Sequence, residues 1–566
     1  MNYEYQVGGK KVTLDAVDNL LAVRYKEPAP HSARAEHAQG LGAAYENRFE
    51  VPNEKFTVFN APNVGPARSI QPNHLSDDNR VARRTPVYTL GKTKVLATDR
   101  VLVGLENQQD AIEPLVQKFS TVNIENRGSG EYTIHLAEDV DPLATATQLA
   151  QLPGVAYAEP DFVNIGTDTH AGADASRESN FLVGSPTRHP TAGGNEQRGV
   201  PLTIQLSHDM ISIADREYRI AISPLLERGG KAHELDGRIE SGLPPREFAV
   251  DPRYAADITL AKQAWEEQAG DPAVRIAILD EGVDTRHPDL GSAVVAAYDS
   301  ADGDEFQEPN AWDGHGTACA GLAAAIPSHP EGMHGIGGGC SIMAVRIAYS
   351  NQPGGPWVTT NSGIAKAIDW SWRKGADVLS NSWGGGAPSN AIIYAFTRAQ
   401  RHGRDGKGCV LVAAAGNDAG AVSFPAVLDS IIAVSATNEF DEFKTKNSRD
   451  GEKWWGSNFG PEVSIGAPGV HNFTTDITGT SGYNSTGNYY ERFNGTSSAT
   501  PLVAGACALL ISAKPDAHER EIRDALEQSA DKVGSTAYVH GRNDQLGYGR
   551  LNVLNALHRL MNNQTH

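Results

Sequence analysis

Three short stretches of this chain carry side chains that could pass a proton among themselves. The run FNGTSSATPLVAG (493–505) crowds the hydroxyls of Thr496, Ser497, Ser498 and Thr500 against the start of an apolar helical pattern. Ser and Thr are favoured helix caps. The same letters also suit a nucleophile at a helix N-terminus, where backbone N–H groups and the dipole's positive end face a developing anion. Gly495 lets a substrate backbone come close, and Pro501 fits an early helical turn. A hydroxyl needs a base, and NAWDGHGTACAGLAAA (310–325) offers His315 between two glycines that leave an imidazole edge open. A base needs an orienting carboxylate. VRIAILDEGVDTRHPDL (274–290) ends an apolar run on Asp280, and the carboxyl ends of parallel strands are where open α/β sheets place their sites. Asp284 and Asp289 read better as turn and cap residues. Each motif alone has an ordinary structural reading; the three together favour a nucleophile, a base and an orienting acid.

Positioning these groups requires a scaffold, and the pattern from 258 to 560 supplies one. Short apolar runs rich in β-branched residues recur at 274–280, 341–348, 376–383, 408–416 and 430–437, as expected of strands buried on both faces. Helical spacing lies between them at 361–375, with a Gly stop, at 390–403 and at 518–526. Alternation of this kind predicts an α/β fold with a mostly parallel sheet flanked by helices. The N-terminal third differs. From 99 to about 165 the order reads βαββαβ, a small α+β, ferredoxin-like unit. A weaker echo links 5–25 with 88–105, so that 1–85 reads as a degraded repeat of that unit. Residues 167–200 have linker composition, and 202–223 alternate like a hairpin. The expected domains are 1–85, 86–166, a linker over 167–250, and 251–562.

Composition narrows the function classes. The chain has 566 residues with 40% hydrophobic and 21% charged, which suits a soluble multidomain protein. A formal charge of −20 argues against nucleic acid and anionic membranes as partners. The longest apolar run, 504–513, falls short of the roughly 18 residues a span needs. The first residues show no leader pattern, which predicts a cytoplasmic protein, leaderless export aside. Cys319, Cys340, Cys409 and Cys507 form no C-x-x-C pair and read as core thiols.

The chain order Asp280, His315, Ser497 separates this constellation from two other Ser-His-Asp orders. ILDEGVDTRHPDL, DGHGTACAG and NGTSSATPLVAG resemble the three active-site motifs of the subtilisin-like serine proteases, the subtilases, and the resemblance covers 252–560. It implies a serine endopeptidase with Asp280, His315 and Ser497 as triad. It also implies that VAAAGN (412–417) is the oxyanion segment, with Asn417 as donor and Ala415 and Gly416 beside substrate. NSWGGG (381–386), through Ser382, Trp383, Gly384 and Gly385, would pair with a substrate strand, opposed by Gly355 and Trp357 in GGPW. Residues 100–165 resemble the family's inhibitory propeptides, which implies a self-inhibited zymogen whose own N-terminal domain is a partner beside the polypeptide substrate. No cofactor is implied for the chemistry and no metal ligand is assigned. Two departures stand out. Glu281 replaces a small hydroxyl residue, adding an acid near His315. IPSHPEGMHGIGG (326–338) stands where many subtilases carry a calcium loop but has few oxygen ligands, and DSADGDE (299–305) reads as a solvated acidic loop. A catalytically silent peptide-binding scaffold and an esterase with weak proteolysis are the rival readings.

Overall fold

The computed structural model describes residues 2–40, 48–61, 80–166 and 253–562, together with the short strands Leu206–Ser207, Met210–Ile213 and Arg216–Arg219. The apolar runs read from the sequence become the strands Arg275–Asp280, Ser341–Arg346, Val378–Asn381, Val410–Ala414 and Ile432–Thr437. Two more, Val294–Asp299 and Val463–Pro468, lie at the sheet edges and were not singled out by pattern. All neighbours in this seven-stranded sheet run parallel. Numbered by position along the chain, the strand order is 2-3-1-4-5-6-7. The chain therefore reverses its direction of winding between the first strand, which ends on Asp280, and the fourth, which ends on Asn381. A crevice opens at such a switch point, outside the carboxyl ends of the strands.

Helices cover both faces, which is why most of the strands read as mainly apolar runs without alternation. On one face the helices His315–Ala324 and Thr496–Ala513 are almost wholly buried. On the other lie Asn361–Arg373 and Asn390–His402. The Thr360 side chain caps the first of these at Gly363 N, and the Ser389 side chain caps the second at Ile392 N. The predicted stop of the first falls at Gly375, whose φ of +88° favours glycine. Thr496–Ala513 is, at 18 residues, long and apolar enough to cross a membrane, yet 89% of it is buried within the protein. The sequence reading located the apolar run only at 504–513, because the hydroxyls of the helix start interrupt the apolar letters before it.

The N-terminal βαββαβ order appears as strand Thr93–Leu105, helix Glu113–Val116, strands Thr121–Gly128 and Glu131–Leu136, helix Pro142–Leu149 and strand Val155–Ile165. The segments that echo each other form the hairpins Tyr3–Val7/Lys10–Tyr25 and Val81–Leu90/Thr93–Leu105. Both add to the same antiparallel sheet. That sheet continues onto Trp357–Thr360, which pairs antiparallel with Val163–Ile165. Asp161 and Glu159 anchor this junction. Buried Asp161 accepts from Ser362 N at 2.9 Å, Ser362 Oγ at 2.6 Å and Arg100 Nε at 2.7 Å. Glu159 accepts from Asn390 N at 2.9 Å and Ala391 N at 3.2 Å. Two carboxylates thus meet the positive ends of the two surface helices. Residues Met1–Ala173 and Val250–His566 accordingly form one compact unit, and Asp174–Ala249 another. In the latter the expected hairpin is a three-stranded antiparallel arrangement. The predicted linker at 167–200 lies outside the described residues.

Candidate active site

Asp280 is the last residue of the central strand, and His315 is the first of its helix. Their meeting is direct: His315 Nδ1 lies 2.9 Å from Asp280 Oδ1, both side chains 1% exposed. The imidazole stands edge-on to Trp357 and Phe493, with ring centroids 5.6 and 5.4 Å away. Its Nε2 is buried and has no hydrogen-bond partner among the described residues.

Ser497 is the second residue of its helix, so its N–H has no helical acceptor. Its Oγ donates to the Ser382 carbonyl at 2.9 Å, and Ser382 Oγ donates back to the Ser497 carbonyl at 3.0 Å. The second bond has a cause in the sequence. Pro501 is four residues on and carries no N–H, so the Ser497 carbonyl loses its helical partner. Ser382 Oγ and, at 3.6 Å, Cys319 Sγ fill the gap. Pro501 is thus the sixth helical residue, deeper than the early turn expected from sequence, and its missing N–H is felt by the neighbour of the strand end.

Asn417 follows the strand Val410–Ala414. Its Oδ1 accepts from Thr496 N at 2.9 Å and Thr496 Oγ1 at 3.0 Å. That pins the amide oxygen and leaves the Nδ2 donor for another acceptor. Ser382, Trp383, Gly384 and Gly385 continue from Val378–Asn381, and Ala415 and Gly416 from Val410–Ala414. Both segments are tied to the 423–424 loop: Ser423 N–H donates to Ala415 O at 2.9 Å, and Gly385 N–H to Phe424 O at 2.8 Å. Gly355 lies in the turn before Trp357–Thr360. The face expected for substrate holds the N-terminal region. Gly166 N–H donates to Trp357 O at 3.0 Å, and Asn164 Oδ1 accepts from Ala387 N at 2.8 Å.

Several contacts here were not singled out from sequence. Asp313 is buried, and burial pushes its carboxyl up to about 6. Tyr483 is half-buried beside Phe493, and desolvation pushes its phenol well up. Cys319, read as a core thiol, lies 3.8 Å from His315 Nδ1. A proline five residues beyond Thr496 was the one available signal for the Ser382 contact.

At the calcium-loop position the Asp289 carboxylate is taken up by protein donors. Asp289 accepts from Ser328 N at 2.7 Å, Ser328 Oγ at 2.6 Å, Met333 N at 2.8 Å and Tyr489 Oη at 2.7 Å. Donors, not lone pairs, surround that carboxylate, whereas calcium takes six to eight oxygen ligands. In the acidic loop Asp299 pairs with Arg346 at 3.1 Å and accepts from Ala301 N at 2.8 Å.

The Subtilase family profile matches residues 271–549. Thermitase of Thermoactinomyces vulgaris is 36% identical over 306 residues, covering 54% of this chain and 95% of the relative. The chain belongs to the subtilase family. It is a serine endopeptidase with the subtilisin-like α/β fold, and subtilases need no cofactor for catalysis. The crystal structure of fervidolysin from Fervidobacterium pennivorans shares the fold, with a TM-score of 0.53 at 23% identity over 81% of this chain and 61% of that one. A halolysin-like extracellular serine protease of Natrialba magadii is 34% identical over 316 residues, covering 55% of this chain and 52% of the relative. That relative corrects the cytoplasmic expectation. The expectation rested on the missing leader pattern and the missing membrane span, and a subtilase domain of this kind occurs in an extracellular protein.

Proposed function

We propose that this subtilase cleaves polypeptides through Asp280, His315 and Ser497 and is made as a self-inhibited zymogen. The observation that carries the reading is the His315–Asp280 contact at 2.9 Å, which commits Nδ1 and leaves Nε2 free to take a proton. Ser497 Oγ, resting on the Ser382 carbonyl, turns to Nε2 when substrate arrives, since such bonds tighten in the substrate complex. It attacks the scissile carbonyl as His315 removes its proton, while Asp280 holds the tautomer and stabilises the imidazolium. Asn417 Nδ2 and the Ser497 N–H supply the oxyanion donors. His315 then protonates the leaving amine, and water resolves the acyl-enzyme. Substrate adds as a strand between 382–385 and the segment of Gly355 and Trp357.

The inhibitory role of the N-terminal region is supported by the strand Val163–Ile165 on Trp357–Thr360 and by Asn164 on Ala387, which cover that strand-binding face. Ser497→Ala abolishes labelling by a fluorophosphonate probe while leaving the circular dichroism spectrum unchanged. Equal labelling of the variant refutes the assignment.

A further inference from the structure

The residue after Asp280 is an acid that forms no ion pair among the described residues. Glu281 is fully buried. Burial pushes its carboxyl well above the usual range, and the carboxyls of Asp313 and Asp280 push it further. What it does hold are two N–H groups. Oε1 accepts from the His315 backbone N–H at 2.7 Å, and Oε2 from Trp357 Nε1–H at 2.6 Å.

Each bond answers a local need. His315 begins its helix, so its N–H is one of the orphan donors of a helix start, and Gly314 before it has no side chain to cap with. Glu281 takes the capping role from a different strand. The indole N–H of Trp357 is likewise buried and needs an acceptor. The same indole stands at 87° to the imidazole, with centroids 5.6 Å apart. One carboxyl group therefore ties three elements: the strand that ends on Asp280, the helix that starts on His315, and the strand Trp357–Thr360 at the edge of the cleft.

We propose that Glu281 is a positioning residue for His315, holding the imidazole against Asp280 by fixing its backbone N–H and the Trp357 indole on two oxygens of one carboxyl group. This rests on His315 being the base. Two donors converge on Glu281, so two acceptors are required. An amide offers one and turns its own N–H₂ against the second donor. Glu281→Gln therefore fits the space but loses one anchor. A base displaced by less than an ångström loses rate with little change in substrate affinity, because 382–385, Ala415 and Gly416 are untouched and the segment of Gly355 and Trp357 meets substrate through its backbone.

The test uses the full chain, a peptide anilide substrate, and active sites counted with a fluorophosphonate. Glu281→Gln lowers kcat per labelled site by about 10- to 100-fold, with KM within about twofold. Trp357→Phe keeps the ring and removes the donor; it lowers kcat in the same direction, and the double variant is no worse than Glu281→Gln, as expected of residues acting as a unit. Wild-type kcat per site in Glu281→Gln, or a change confined to KM, overturns the proposal. If Glu281→Gln does not fold, Trp357→Phe decides through its rate of labelling by the small fluorophosphonate, which needs the His315 base and not the 355–357 segment: slower labelling upholds the proposal, and an unchanged rate overturns it. Ser497→Ala is assayed alongside. Turnover by that variant sinks the triad reading itself, whatever Glu281 does.

Discussion

His471 gives this subtilase a stability that depends on pH. It stands at the turn between the edge strand Val463–Pro468 and the strand Asn472–Thr475. Its Nε2 lies 2.8 Å from Glu452 and its Nδ1 3.4 Å from Glu439. Burial alone would lower its pKa, but the two carboxylates outweigh that and push it up to about 9 from 6.5. At about 1.4 kcal/mol per pH unit, the rise is worth about 3 kcal/mol. The folded chain binds this proton more tightly than the unfolded chain, so the stabilisation is complete below 6.5 and is lost as pH rises through about 9. Glu452, held down to about 2, reports the same pair from the acid side and is not counted again. His471→Gln removes the proton. In a Ser497→Ala background, which prevents self-digestion, calorimetric melting is compared at pH 6 and pH 9.5. The chain with His471 loses about 6 °C more across that interval than the chain with Gln, taking about 2 °C per kcal/mol. Parallel melting curves across the interval refute the assignment of the shift to this contact.

Two further predictions concern rate and inhibition. Asn417→Asp keeps the acceptor for Thr496 but deletes the amide donor, and lowers kcat by about 10²- to 10³-fold with little change in KM; an unchanged kcat means that Asn417 does not face the oxyanion. Asp161→Ala leaves Arg100 and the Ser362 N–H without their shared acceptor. Removing one side of such a buried charged contact weakens docking by tenfold or more, so the lag before full-chain activity appears shortens. A lag equal to the wild type's counts against inhibition through this junction.

The family was legible because the determinants of its motifs are local. Asp280, His315 and Ser497 each sit in a motif of a dozen residues whose glycines, strand ending and helix start follow from short-range rules, and five of the seven parallel strands are short, mainly apolar runs. The βαββαβ order was equally readable, since the change of hydrophobic period between its elements is clear. The edge strands Val294–Asp299 and Val463–Pro468 were harder to read: the first has only one fully buried residue, and the second carries Ser, Gly and Pro. Strand character there comes from pairing with a neighbour, not from composition.

The sequence by itself determined which side chains could react and the order in which the elements follow one another. Tertiary structure decided their mutual distances. It placed the Ser382 hydroxyl on the carbonyl that Pro501 leaves open, and it made Glu281 a two-point anchor instead of a second acid exposed to His315. It also filled the calcium-loop position with hydrogen-bond donors around Asp289. Each of these contacts joins residues at least 34 positions apart, such as Glu281 and His315. No periodicity or motif encodes such a meeting. It exists only once the sheet has wound past its switch point and the buried donors have had to find acceptors.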